Sequence, residues 1–165
     1  MVPGERRRPL VQLALDFPTV QHAVACARLG IEAGVDVLEV GLPLLVSEGV
    51  KTIGHLKRSF PEWPVVVNLQ AMDGGARAVQ LAVAHGAQGV TVCGCAADET
   101  IRAAVAAGRE ADVKVIVDLI GCRDLVGRAF ESEPSVQLLL GHAGVDRPDF
   151  HTSLQLNAER SNIDR

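Results

Sequence analysis

The sequence predicts an α/β fold built on a parallel sheet. Six short apolar runs rich in Val, Ile and Leu recur along the 165 residues. None alternates cleanly with polar residues, as expected of strands covered on both faces. Segments of helical character with recognisable ends separate them, so strand and helix alternate roughly every 25 residues. Two closures are compatible with that alternation, an open doubly wound sheet and a (β/α)₈ barrel.

The six runs cover residues 11–15, 35–40, 64–67, 89–92, 113–117 and 136–140. Between the first two, Thr19 is placed to cap a helix that carries Val20, Val24 and Ala27 and ends near Gly34. Ser47 is placed to cap a second, with Val50, Ile53, Leu56 and Lys57, closed by Pro61. Lys57 and Arg58 are expected on its solvated face. Residues 76–84 are rich in Ala, Val and Leu, and Gly86 follows as a C′ glycine. Asp98 precedes an apolar stretch over 101–107, and Asp124 a shorter one ending at Phe130. Cap residue, apolar period and terminal Gly or Pro agree in most of these segments.

The organisation expected is a flexible N-terminus over 1–9, which holds Arg6, Arg7 and Arg8, one domain over 10–147, and a polar tail over 148–165 without strand pattern. With 48% hydrophobic residues and a net charge of −4, the chain buries a core and is not disordered in bulk. That charge leaves no basic excess for a nucleic-acid backbone. With aromatics at 3%, base-stacking platforms and an immunoglobulin-type sandwich are disfavoured. No apolar run approaches the ~18 residues of a membrane span, and Gln12 and Asp16 interrupt any signal-peptide core. A cytoplasmic location is therefore expected. Cys26, Cys93, Cys95 and Cys122 match neither a zinc nor a disulfide framework and are expected as thiols. Cys93-Gly94-Cys95 reads as small residues at a strand–loop junction, and Gly74-Gly75 as a tight turn. No G-x-G-x-x-G follows the first strand and no Walker A motif occurs.

Ligand groups in both closures sit at the C-terminal ends of the strands. Those positions hold Asp16, Glu39, Asn68 with Gln70, Cys93, Asp118 and His142. Five of the six ends carry an ionisable group, and such clustering points to a site. Glu39 and Asp118 are hard oxygen donors suited to Mg²⁺. His142 titrates near neutrality and is suited to moving a proton. The set fits carbanion chemistry next to a carbonyl, with Mg²⁺ stabilising an enediolate.

Several motifs in register give a family resemblance. They are Leu13-Ala14-Leu15-Asp16, Leu38-Glu39-Val40-Gly41, residues 68–73, Val90-Thr91-Val92 with Ala97-Asp98, Val117-Asp118-Leu119, and His142-Ala143-Gly144-Val145-Asp146. Together they resemble the hexulose-6-phosphate synthases, which stand with the 3-keto-L-gulonate-6-phosphate decarboxylases in the orotidine 5′-monophosphate decarboxylase suprafamily. The resemblance covers about residues 10–147. It implies a (β/α)₈ TIM barrel, here incomplete because six of eight βα units are recognisable. It also implies a homodimer with sites at the subunit interface, and a lyase that adds formaldehyde to ribulose 5-phosphate with Mg²⁺, a sugar phosphate being the partner. Carried over by position, Asp16 and Gln70 contact substrate, Glu39 and Asn68 hold the metal, and Asp118 lies at the sugar. Asp73 reaches the partner's site, and His142 is the base.

Two departures fall in one motif. The family's D-x-K-x-x-D is Asn68-Leu69-Gln70-Ala71-Met72-Asp73 here, so an anion and a cation are replaced by amides. A third concerns the glycine-rich phosphate clamp of the family's last units, which 149–165 are not expected to form. The alternatives are a catalytically silent binding or scaffold protein on the same fold, and a truncated gene product.

Overall fold

The computed structural model describes residues 10–123, 138–142 and 153–156. Among the described residues seven strands form one sheet in the order β1-β2-β3-β4-β5-β6-β7. They are β1 (Gln12–Leu15), β2 (Val37–Val40), β3 (Val65–Ala71), β4 (Gly89–Cys93), β5 (Lys114–Asp118), β6 (Leu138–His142) and β7 (Ser153–Leu156). The helices among the described residues are α1 (Val20–Glu32), α2 (Leu42–Glu48), α3 (Lys51–Ser59), α4 (Gly75–Ala84) and α5 (Asp98–Glu110). β1 to β6 pair in parallel, each beside its predecessor. A doubly wound sheet would reverse its order at a switch point. The unbroken order therefore selects the barrel type between the two closures. Among the described residues no helix is long and apolar enough to cross a membrane.

Alternation along the strands gives the sheet two different faces. Leu38, Val65, Val67, Val90, Val115 and Val117 share one face, where they pack with Ala23, Ile53, Leu56, Val79 and Ala104 of the helices in the main core. Burial of each large side chain such as Leu38, Ile53 or Leu56 contributes about 1.5–3 kcal/mol. The other face holds a much smaller apolar group, Val66 and Ile116 with Val37. Gln12, Glu39, Thr91 and Asp118 share that face with small or apolar residues such as Ala14, Gly89 and Leu140, and the polar ones form the site described below.

The helix ends follow from local chemistry. Thr19 caps α1, its hydroxyl accepting from the His22 amide, and Glu48 of α2 accepts from the next amide, Val20, at 2.9 Å. Gly34 and Gly86, both with positive φ, close α1 and α4. In each case the glycine amide and the one after it bond back into the last turn. Asp98 is the first residue of α5 and not its cap, which is Ala97; with Glu99 it places negative charge at the helix start.

Ser47 does not cap the second helical segment. It lies inside α2, where its hydroxyl is 2.8 Å from the carbonyls of both Pro43 and Pro18. α3 instead starts after Val50 with no side-chain cap. Gly49, at φ 77°, breaks the segment in two. Lys57 is not simply solvated either, since its ammonium donates to the carbonyls of Pro61 and Trp63 just past α3. A further strand, β7, falls within the stretch read as a polar tail. It runs antiparallel to β6, with Leu139 opposite Leu156 and His142 opposite Ser153, and covers an edge that β6 would otherwise expose. Arg6 to Arg8 and the segment from Asp124 to Phe130 lie outside the described residues.

α4 and α5 meet through Gly75. A Cβ there would overlap the Thr100 carbonyl oxygen and lie 3.0 Å from the Ala104 methyl, and the rigid α5 backbone cannot yield. Gly75→Ala is therefore expected to cost about 1–3 kcal/mol of stability through overpacking, read as a lower urea midpoint. Gly54→Ala in α3 is the control. Its Cβ meets only the tip of Arg58 at 3.2 Å and the His85 carbonyl at 3.4 Å. The gain in helix propensity should leave that variant at least as stable as the parent.

Candidate active site

The polar face is organised around an irregularity in β3. Val67 pairs with Val90, but the next register point is Ala71 with Val92, so four steps on β3 oppose two on β4. The surplus falls on Asn68, Leu69 and Gln70, the stretch that carries the altered motif. Thr91, fully buried on β4, holds it. Its hydroxyl donates to the Asn68 side-chain oxygen and accepts from the Gln70 amide, both at 2.8 Å. Gln70 has φ 45°, a left-handed conformation that costs a non-glycine residue about 1–2 kcal/mol.

The turn aims the Gln70 side chain at β5. Its amide nitrogen donates to Asp118 Oδ2 at 2.7 Å, and the Ile120 amide donates to Oδ1 at 2.9 Å. Asp118 is fully buried. A buried carboxylate is expensive unless hydrogen bonded, and bonds to a charged acceptor are the stronger kind. The Asp118 backbone carbonyl also accepts from Gly94 at 2.6 Å, which draws the β4–α5 loop against the end of β5.

Glu39 occupies the same face on β2 and is 4% exposed. Gln12 of β1 donates to its Oε2 at 2.8 Å. Two buried carboxylates thus each receive a hydrogen bond from a glutamine amide. Cys93 ends β4 beside Asp118 in the register. Burial pushes its thiol above the ordinary value; a backbone hydrogen bond at Cys95 opposes this, and the charges of Cys95 and Asp118 add to it.

The structure brings Asn68, Gln70 and Asp118 into one network and sets Glu39 on the same face. It does not bring Asp16 and Asp73 into that network. Asp16 is exposed beyond β1 and lies over Gly41, where a Cβ would overlap its carboxylate. Asp73 is exposed, and its Oδ1 accepts from the Gly74 amide at 2.6 Å. His142 is the last residue of β6, two positions past Leu140, the partner of Asp118. Its side chain lies outside the described part of the structure. Among the described residues no group of three or more His, Cys, Asp or Glu is arranged to hold a metal. A surface depression that includes Arg109, Asp112 and Lys114 lies at the start of β5, opposite the end that bears Asp118.

Sequence reasoning missed Thr91, Gln12 and the Ile120 amide. A threonine inside Val90-Thr91-Val92 reads as a β-branched strand residue, and only the paired strand reveals its role. Gln12 carried a better signal, as a polar residue within the first apolar run.

Residues 9–133 match the family described as orotidine 5′-phosphate decarboxylase / HUMPS. The chain is 33% identical over 152 residues to a 3-hexulose-6-phosphate synthase of Bacillus subtilis, covering 92% of this chain and 68% of that protein. The crystal structure of the Salmonella typhimurium 3-hexulose-6-phosphate synthase superposes with a TM-score of 0.78 at 36% identity, over 84% of this chain and 65% of that one. A 3-keto-L-gulonate-6-phosphate decarboxylase of Vibrio cholerae superposes with a TM-score of 0.69 at 31% identity, over 74% of this chain and 56% of that one. The chain spans about two thirds of the length of the curated relatives it matches.

The Thr91 hydroxyl is the hub of the β3 turn. Thr91→Val keeps the shape but leaves the Gln70 amide and the Asn68 oxygen without it. A loss of about 1–3 kcal/mol is expected in urea unfolding, with faster hydrogen exchange at the Gln70 amide. Thr91→Ser keeps the hydroxyl and should lose less, with Gln70 exchange near that of the parent.

Proposed function

Because the chain belongs to the orotidine 5′-phosphate decarboxylase / HUMPS family, we propose that it is a carbon–carbon lyase of the 3-hexulose-6-phosphate synthase kind. The reaction is the aldol addition of formaldehyde to ribulose 5-phosphate through an enediolate. The observation that carries this reading is the buried Asp118 carboxylate, oriented by Gln70 and the Ile120 amide on the polar face of a barrel-type sheet.

Each residue then has a physical role. Asp118, fixed through both oxygens, accepts from sugar hydroxyls and holds the carbon chain in one orientation. Gln70 keeps that carboxylate aimed without neutralising it, and Asp16 meets the substrate at the mouth. His142, at the end of β6, takes the proton from the carbon beside the carbonyl. Asp73, exposed just past β3, completes the site of a second copy in a homodimer.

Mg²⁺ fits the donor chemistry in a limited way. Glu39 pairs with Val66, two positions before Asn68, so both are placed on one face of neighbouring strands. They offer a carboxylate and an amide oxygen. Mg²⁺ is commonly held by one or two carboxylates, with water and substrate in the remaining positions. When bound, the ion supplies positive charge for the oxygens that become anionic in the reaction. Asn68 brings no charge, so retention is expected to be weak.

A second reading, a binding protein without turnover, is favoured by Gln70. An amide in place of the motif's lysine removes a cation and a proton donor from the site.

The deciding measurement is formaldehyde-dependent consumption of ribulose 5-phosphate by the full chain, with Mg²⁺ and with a chelator. Turnover that falls by about 10²-fold or more in both Asp118→Asn and His142→Ala is expected, in line with the loss of a positioned acid–base group. A parent rate no better than that of His142→Ala would overturn the lyase reading. Saturable ribulose 5-phosphate binding in the same preparation would then select the silent binder.

A further inference from the structure

Outside that network the structure holds a second pair of chemically reactive groups. Cys95 lies in the β4–α5 loop and Cys122 in the loop after β5, 27 positions apart in sequence. Their sulfurs are 3.2 Å apart. A disulfide needs about 2.05 Å, so closure asks for a movement of about 1.2 Å. Cys95 sits in a turn, the Cys122 amide closes another by bonding to the Leu119 carbonyl, and each follows a glycine: Gly94, and Gly121 with φ 77°. Cys95 is exposed and Cys122 half-buried, so a small reagent can reach the pair from solvent. Cys26 lies on α1, and Cys93 is buried with its thiol pushed up by that burial, which disfavours the reactive thiolate there.

We propose that Cys95 and Cys122 are a dithiol that closes reversibly to a disulfide by exchange with low-molecular-weight disulfides, latching the β4–α5 loop to the loop after β5. The exposed Cys95 thiolate attacks one sulfur of the small disulfide, forms a mixed disulfide and releases one small thiolate. Cys122, as thiolate, then attacks the Cys95 sulfur and releases the second. Two protein thiols are oxidised, and one small disulfide is reduced to two thiols, which take up the two protons.

The latch bears on Asp118 through a single residue. The Ile120 amide donates to Asp118 Oδ1, while the Ile120 carbonyl is 3.7 Å from the Cys95 sulfur, which donates to it. Oxidation removes that thiol donor and ties the loop on the far side of Ile120. The inference stands on the thiol geometry alone and does not depend on the reaction proposed above.

The test equilibrates the full chain with glutathione buffers of increasing oxidised fraction. It then counts thiols by alkylation and mass, with peptide mapping. The expected result is loss of two of the four thiols, a Cys95–Cys122 cross-linked peptide and a chain that stays monomeric on a non-reducing gel, all reversed by excess reduced glutathione. Cys122→Ser should instead trap one glutathionyl group on Cys95, and Cys95→Ser should form no cross-link. Four thiols persisting in the most oxidising buffer would overturn the proposal. So would a stable glutathionyl adduct on the parent protein, or a disulfide between two chains.

Discussion

Successive residues of a strand point to opposite faces, and every other property of this molecule is arranged within that constraint. In β2 to β5 one set of alternate positions is Val and Leu packed against helices, and the other set includes Glu39, Asn68, Thr91 and Asp118. A one-residue slip in any pairing would carry these groups into the helix-packed core and the valines out of it. That exchange would strand two carboxylates in apolar surroundings, a cost of several kcal/mol each. The hydrophobic face therefore fixes the register, and the register fixes which polar side chains meet.

The turn in β3 shows what such a frame can sustain. Gln70 is held left-handed at a cost of about 1–2 kcal/mol. Its backbone bond to Thr91 and its side-chain bond to Asp118 offset this, the second to a charged acceptor and worth about 1.5–3 kcal/mol. The balance favours the turn because Thr91 and Asp118 are each fully buried, where a lost hydrogen bond is not replaced by water. A lysine in place of Gln70 would neutralise Asp118, whereas the amide orients it and leaves its charge in place. The altered motif thus retains a built geometry while changing the electrostatics of the site.

The sequence was legible where local chemistry decides the outcome. All six parallel strands fall on the apolar runs, and Thr19, Gly34 and Gly86 end helices as their residue types require. The family and the barrel-type fold were legible in six short motifs, though none of them alone marks either. Reading failed where the deciding partner is distant in sequence. Ser47 has the right type for a cap, but Pro18 and Pro43 take its hydroxyl, and Gly49 divides the helix instead. β3 extends to Ala71 across polar residues, because Thr91 supplies the bonds that a regular ladder would have given. β7 is four residues long, in a polar stretch, and is defined by its pairing with β6 rather than by its own composition.

The same reasoning explains why the end of β5 is the sensitive point of the molecule. Asp118 is held through its side chain by β3 and by the following loop, and through its carbonyl by Gly94 of the preceding loop. A Cβ on Gly94 would lie 2.9 Å from that carbonyl and 3.1 Å from the Cys122 sulfur, so a glycine is what allows the two loops to close over the carboxylate. Cys95 and Cys122 then flank the Ile120 peptide, which bonds to the carboxylate on one side and to a thiol on the other. A change in the thiols that moves Ile120 alters the bond its amide makes to Asp118. The bond from Gln70 belongs to a different strand and does not run through that loop. The loop that orients the carboxylate is therefore also the loop through which the thiols act on it.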